Sequence, residues 1–454
     1  MGMAGSMRKF SVVSVAYVLI LVLIWATAAA GWEPSGTSDN GFQTYLPTIL
    51  RPPRTIVLSK IMLVSVASDG TQANGHSANP SISADGRFVA FESDASNLVP
   101  DDVNYNTDVF VHDRLTGLTN RVSNTTTPGY QGDSINPTIS ADGRFVAFES
   151  QSAWLVPEDT DSYADIFVYD LFSGELSLIS GPVDGMPMEG HYNEPSISGD
   201  GRYVVFSANL NDVYMHDRQT NQTSLIPKSP DGMPPNARSR NPVISANGRI
   251  VAFESLATNL APGDPNTNFD IYVRDYQTDQ ISLLPLIGPE AVGQQYELNS
   301  SLSADGRYVA FMTNYEKVVS NDANGLWDAF VHDRQTGQSR LVSVASDGTQ
   351  SNGHSQDPSI SADGRYVAFW SSALNLDSLS PLSSRFDVYV HDRGTGETRR
   401  ISITASGTLG NGFAWHPAIS GNGRYVAYES SSTNLVPNDT NGYTDIFVYD
   451  RVGP

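Results

Sequence analysis

The chain has 454 residues, 39% hydrophobic and 17% charged, which argues against both a disordered polyelectrolyte and a multi-span membrane protein. Its 49 acidic and 27 basic side chains leave a net charge of −22, and a surface this acidic repels phosphate backbones, so no nucleic-acid partner is expected. The absence of cysteine excludes disulfides, thiolate metal sites and cysteine nucleophiles.

Arg8 and Lys9 precede an apolar run from Phe10 to Ala30 that ends in Ala28-Ala29-Ala30. This is the pattern of a secretory signal with cleavage after Ala30. The run also has the length of a membrane anchor, about 20 residues. Either way the remainder is expected outside the cytoplasm: secreted, periplasmic or at the cell surface, touching a membrane only through an uncleaved N-terminal segment. Residues 31–59, rich in Pro, Gly, Ser and Thr, read as a linker.

From residue 60 to 454 the chain is seven repeats. The block Asn79-Pro80-Ser81-Ile82-Ser83-Ala84-Asp85-Gly86-Arg87-Phe88-Val89-Ala90-Phe91 returns at Asn136, Glu194, Asn241, Asn299, Asp357 and His416. A second block, Asp108-Val109-Phe110-Val111-His112-Asp113-Arg114, returns at Asp165, Asp212, Asp270, Asp328, Asp387 and Asp445. Residues 63–91 and 341–369 differ at four positions, a sign of internal duplication.

Each repeat predicts four short strands. Pro-Ser-Ile-Ser is the first, and Asp-Gly or Asn-Gly turns it into Arg-Phe-Val-Ala-Phe. Val-Phe-Val or Ile-Tyr-Val is the third, and a Thr-Gly turn leads to the fourth. Uninterrupted apolar runs suit strands covered on both faces. The fold class expected is therefore all-β: a seven-bladed β-propeller with four-stranded antiparallel blades. The chain ends on a third strand, and Ile61–Ser65 reads as a fourth strand without its first three. The N-terminal strand is thus expected to complete the last blade and close the ring.

The pattern Pro-Ser-Ile-Ser-Ala-Asp-Gly-Arg…Ala-Phe…Asp-Ile-Phe-Val-x-Asp resembles the TolB-type β-propeller repeat, over about residues 60–454. The resemblance implies fold more than function. TolB carries an N-terminal α/β domain and six blades, whereas this chain has a linker and seven, so an envelope-complex role is not carried over. The same repeat occurs, as the resemblance implies, in peptidase propellers and in a pectic-oligosaccharide lyase.

Tight turns occupy one end of the strands and the long second-to-third and fourth-to-first connections the other, so binding residues are expected on the long-loop face. Its second-to-third loops follow Asp-x-Asn/Asp-x-x-x-Asp: Asp102, Asn104 and Asp108; Asp159, Asp161 and Asp165; Asp264, Asn266 and Asp270; Asp322, Asn324 and Asp328; Asp439, Asn441 and Asp445. Alternating carboxylate and amide oxygens suit a hard cation such as Ca²⁺, with backbone and water completing the shell. The competing account is that Asp and Asn are turn formers. Tyr105, Tyr163, Phe269, Trp327, Phe386 and Tyr443 lie beside the last Asp, placed either to hold a sugar or a protein or to pack between blades.

His76, His191 and His354, each four residues before a strand-opening Pro, form an alternative metal set. His112, His216, His332 and His391 share a slot with Tyr169, Arg274 and Tyr449, which no ligand position would accept. Arg at the start of each second strand and Asp at the end of each third predict one structural ion pair per blade, among them Arg87 with Asp113, Arg144 with Asp170 and Arg424 with Asp450. There is no Gly-x-Ser-x-Gly, no His-Glu-x-x-His and no P-loop, and no catalytic residue is assigned. The chain reads as an exported monomeric binding or scaffold propeller, Ca²⁺-stabilised through its acidic loops, for a protein or glycan on the long-loop face. The alternative is an extracytoplasmic carbohydrate-active enzyme such as a metal-dependent oligosaccharide lyase.

Overall fold

The computed structural model describes residues 60–453, apart from 125–131, 154, 160–162, 182–189, 210, 228, 230, 265, 285–298 and 380–384. The signal or anchor expected over 1–30, the linker over 31–59 and the loop residue Asp161 lie outside the described residues. Regular structure in the described residues is all strand, in seven four-stranded antiparallel sheets.

Each sheet is one repeat, and blades 1 to 7 begin at residues 77, 134, 192, 239, 301, 355 and 414. Blade 1 is typical: Ser77–Ile82, Phe88–Ser93, Asp108–Asp113 and Leu118–Arg121 pair in that order. The first strands of all seven blades meet around a common axis, which makes the first strand innermost. Blade 7 takes its fourth strand from the other end of the chain. Ile61–Leu63 pairs with Asp445–Asp450, Ile61 opposite Tyr449 and Leu63 opposite Phe447. The seven-bladed propeller and its closure by the N-terminal strand are thus the architecture expected from the repeats.

The apolar runs are explained by where the core lies. There are seven clusters of buried side chains, one at each joint between blades. Along the third strand of blade 1, Val109 and Val111 join the cluster with blade 2, while Phe110 joins the one with blade 7. Side chains alternate between faces as in any strand, but here both faces are interior.

At the short-turn end the blades are joined by the backbone of their Asp-Gly turns. Ala84 N–H donates to Ala141 O, Asp142 to Gly199 O, Gly199 to Ala246 O, Asn247 to Ala304 O, Ala304 to Ala362 O, Ala362 to Gly421 O and Asn422 to Ala84 O. All seven joints are bridged, including the one between the last blade and the first. Outside this circle, Arg and Asp pair through two hydrogen bonds in every blade, at 2.9 and 2.8 Å for Arg87–Asp113 and 2.8 and 2.6 Å for Arg424–Asp450. Arg144–Asp170 has the same geometry at 2.9 and 2.7 Å.

The innermost strand carries a bulge. Its register shifts at the residue before the proline, as between Ala78 and Ser81 in blade 1. That residue, Asn79, Asn136, Glu194, Asn241, Asp357 or His416, has φ between 44° and 57°, and Asn299 in blade 5 has φ 31°. Left-handed backbone is uncommon for residues other than glycine, and a bulge re-aims a side chain. Here it turns one side chain per blade toward the axis.

Candidate functional site

The seven bulge residues line an axial cavity of 570 Å³ nearer the long-loop end. Left-handed backbone turns these N–H groups to the neighbouring blade, and in five of the seven a carboxylate from the preceding blade accepts the hydrogen bond. Glu92 accepts from Asn136 (2.7 Å), Glu149 from Glu194 (3.2 Å), Glu194 from Asn241 (2.8 Å), Glu254 from Asn299 (3.1 Å) and Glu429 from Asn79 (2.7 Å). Except for Glu194, these come from the Glu of the Phe/Tyr-Glu-Ser motif in the second strand. Burial raises the pKa of Glu92 and of Glu149 against the hydrogen bonds they accept.

The ring is broken in blades 5 to 7. Met312 and Trp370 stand in the Glu position of blades 5 and 6, and the bulge residues of blades 6 and 7 are Asp357 and His416. Asp357 accepts from Asn299 Nδ2 at 2.9 Å and from the Trp370 indole N–H at 2.7 Å. His416 lies between two acids, with Nδ1 2.8 Å from Glu429 Oε1 and Nε2 3.5 Å from Asp357 Oδ2. Burial works against its charged form, but Glu429, Asp357 and Glu92 outweigh this and raise the imidazole pKa.

Beside this break lies a second cavity, of 310 Å³, walled by Trp370, Phe386, Phe413, Trp415 and His416. Successive ring centroids are 4.9 Å apart for Trp370–Phe386, 5.5 Å for Phe386–Phe413 and 6.3 Å for Phe413–Trp415. Phe386 and Phe413 remain 40% and 45% exposed, so the cleft opens to solvent. Three other joints place a histidine where Phe413 stands. His76 Nδ1 accepts the N–H of Thr444, His191 that of Ala164 and His354 that of Trp327. The three imidazoles named as an alternative metal set are therefore committed to three separate joints and are not brought together.

The acidic loops share a frame but not a filling. In blade 1, Arg121 Nη1 reaches Asp102 at 3.0 Å and Asp108 at 3.2 Å, and Asn104 donates to Asp108. In blade 6, Arg400 bridges Asp377 and Asp387 in the same way, both at 3.0 Å. In blade 5, the Gln350 amide bridges Asp322 (2.8 Å) and Asp328 (3.0 Å), while Asn324 donates instead to Ser351 O. A cation would have to sit where these donors already are.

Blades 4 and 7 have Leu283 and Leu63 at the arginine's register position. In blade 4, Tyr272 donates to Asp264 and Asn266 to Asp270. Burial, with the Asp264 charge, pushes Asp270 up to about 7. In blade 7, Ser65 and Asn441 donate to Asp445, but Gln72 turns its amide to the Asn438 carbonyl, and Asp439 Oδ1 is buried without a partner. Asp159 and Asp165 of blade 2 are buried at the same frame positions. Among the described residues no three His, Asp or Glu side chains gather as a metal site.

The recurrent aromatic slot is also used differently from blade to blade. Phe269 is buried under the Arg240 guanidinium at 4.0 Å, Tyr443 and Tyr163 meet His76 and His191 edge-on, and Tyr105 is 90% exposed. The glutamate ring and the cleft were not foreseen from the sequence. Their signal is a broken symmetry: one slot reads Glu, Glu, Ser, Glu, Met, Trp, Glu around the seven repeats.

Fold and repeat together make this a seven-bladed β-propeller. No family model matches the chain, and no curated protein matches it. Among solved structures it is similar to oligogalacturonate lyase from Vibrio parahaemolyticus, at 12% identity and TM-score 0.51, covering 87% of this chain and 94% of that one. A manganese complex of oligogalacturonate lyase gives 11% identity and TM-score 0.49, with 86% and 92% covered. TolB from Acinetobacter baumannii gives 18% identity and TM-score 0.39; 72% of this chain is covered, and it spans 65% of that protein's length. At these identities the likeness is one of fold. Among the described residues no helix is long and apolar enough to cross a membrane.

Proposed function

We propose that the chain is an exported binding propeller whose protein or glycan ligand sits on the long-loop face, over the aromatic cleft beside the axial mouth. The observation that carries this reading is the convergence of Trp370, Phe386, Phe413 and Trp415 at one joint, where three other joints hold a histidine bonded to backbone in the place of Phe413. Open aromatic surface with a few oriented polar groups is what a ligand site requires, and scaffold packing would have repeated it. The test is a ligand panel of neutral oligosaccharides, polyuronates, peptides and amines, read by tryptophan fluorescence and calorimetry. A ligand lost in Phe413→Ala and retained in His76→Ala supports the reading; equal loss in both, or no ligand at all, overturns it.

The lyase alternative is less well supported. Its three histidines hold separate joints, and an axial cavity lined by Glu194 and Asp357 with no lysine or arginine repels a polyuronate. Cleavage of oligogalacturonate, seen as ultraviolet absorbance of an unsaturated product, would restore it.

Ca²⁺ stabilisation belongs to this proposal only where no side chain already bridges the carboxylates, in blades 4 and 7. Blade 7 fits best, because Asp439 Oδ1 is buried without a partner; Asp439 and Asp445 would hold the ion, with backbone and water completing the shell. The expected result is a rise in melting temperature with millimolar Ca²⁺, larger than with Mg²⁺ and reduced in Asp439→Asn. No rise makes these loops turns alone.

A further inference from the structure

The wall of the cleft is two indole and two phenyl rings with the His416 imidazole at one side. Its polar atoms are few: the Trp370 indole N–H donates to Asp357 and His416 is held between Glu429 and Asp357, which leaves the Trp415 indole N–H as a single donor. A sugar needs several donors and acceptors along the wall, and the cleft does not supply them. Negative charge is supplied instead. No lysine or arginine lines the cleft or the axial cavity; Asp357 accepts from the indole edge of Trp370, and Glu429 stands opposite Trp415 in register and against His416. Aromatic faces beside carboxylates attract a cation that makes no hydrogen bonds.

We propose that the cleft receives an alkylated ammonium group, held by the aromatic faces and by the field of Asp357 and Glu429. This rests on the ligand site proposed above and names the chemistry of its ligand. His416 then acts as the built-in competitor, since its imidazolium faces the same two acids. The charged groups around it are Glu429 from the second strand of blade 7, Asp357 from the innermost strand of blade 6 and Glu92 from the second strand of blade 1. Loss of its proton leaves those acids to the guest.

The experiment titrates the full protein with choline and, separately, with the neutral carbon isostere of choline, using tryptophan fluorescence and calorimetry. Choline is expected to bind at least about tenfold more tightly than the isostere. Affinity should fall about tenfold in Phe413→Ala, and it should rise in His416→Gln and as pH passes upward through the histidine's raised pKa. Equal binding of choline and isostere overturns the inference. So does binding of a neutral oligosaccharide, lost in Phe413→Ala, when choline does not bind; in that case the ligand site stands and only its chemistry is wrong. Melting curves of both variants show that they are folded, and Phe413, being half exposed, gives a readout independent of His416.

Discussion

The two ends of the propeller are made from the same seven repeats and treat them differently. At the short-turn end every blade has the same Arg–Asp pair and a backbone link from its turn to its neighbour, donated either by the Ala or Gly before the turn or by the Asp or Asn that follows that residue, and the circle closes without a gap. At the long-loop end the backbone frame is again repeated, but the side chains are not. The carboxylate pair of the acidic loop is bridged by Arg121 in blade 1, by Gln350 in blade 5 and by Arg400 in blade 6, and by no arginine in blades 4 and 7. The glutamate ring runs through five blades and stops at Met312 and Trp370. Uniform solutions mark what every blade needs to stand; individual ones mark local compensation or a ligand.

The largest expected effect comes from removing an individual compensation. Arg400 is buried between Asp377 and Asp387, so Arg400→Met leaves two carboxylates facing each other and should cost about 3 kcal/mol in denaturant unfolding. It should also make blade 6 responsive to Ca²⁺, as blade 7 is expected to be; a variant that loses stability without gaining a Ca²⁺ response would separate the two blades.

The uniform end is tested next, through its glycines. Gly201 has φ +71°, and a Cβ there would lie 2.0 Å from the Phe145 ring of the preceding blade. Gly337 has φ +69° with nothing within 4 Å. Gly201→Ala should therefore cost about 2–3 kcal/mol, and Gly337→Ala only the left-handed backbone term of about 1 kcal/mol. Equal losses would mean that contact between blades contributes little there.

Acid should dismantle the blades in two steps. Burial lowers the pKa of His112 and His391 from 6.5 to about 4, so the native state resists a proton that the unfolded chain accepts. Their contribution is complete above 6.5 and disappears as pH falls toward 4. Asp217, Asp275 and Asp392, each hydrogen-bonded to its arginine, are lowered from 3.8 to about 2, so their contribution persists to 3.8 and is lost toward 2. Urea midpoints against pH should show both declines, with the first diminished in His391→Phe. The smallest expected effect is Phe413→Ala, which should leave stability within about 0.5 kcal/mol; a large loss would make the aromatic cleft a packing feature.

The fold could be read from the chain because turn chemistry and apolar runs recur seven times, so each blade repeats the inference. The Arg–Asp pairs could be read because antiparallel register sets Phe88 opposite Asp113 and brings Arg87 beside it. What fills the acidic loops could not, because Arg121 and Arg400 come from the outermost strand and Gln350 from beyond it. The cleft was hidden for a related reason. Trp370 and Trp415 belong to strands of two different blades and Phe386 to a loop between strands, and the same aromatic slot is buried under Arg240 in blade 4 and exposed in blade 1.

The bulge has a consequence for how such a protein changes over generations. Asn, Glu, Asp and His all occupy it with nearly the same backbone, so each blade offers one axial site at which a single codon can be rewritten while the strands around it keep their register. Seven such sites form a ring of letters, several of them coupled to their neighbours, as Asn299 is to Asp357 and Asp357 to His416. Duplication supplies the ring with one letter throughout, and divergence then rewrites it position by position.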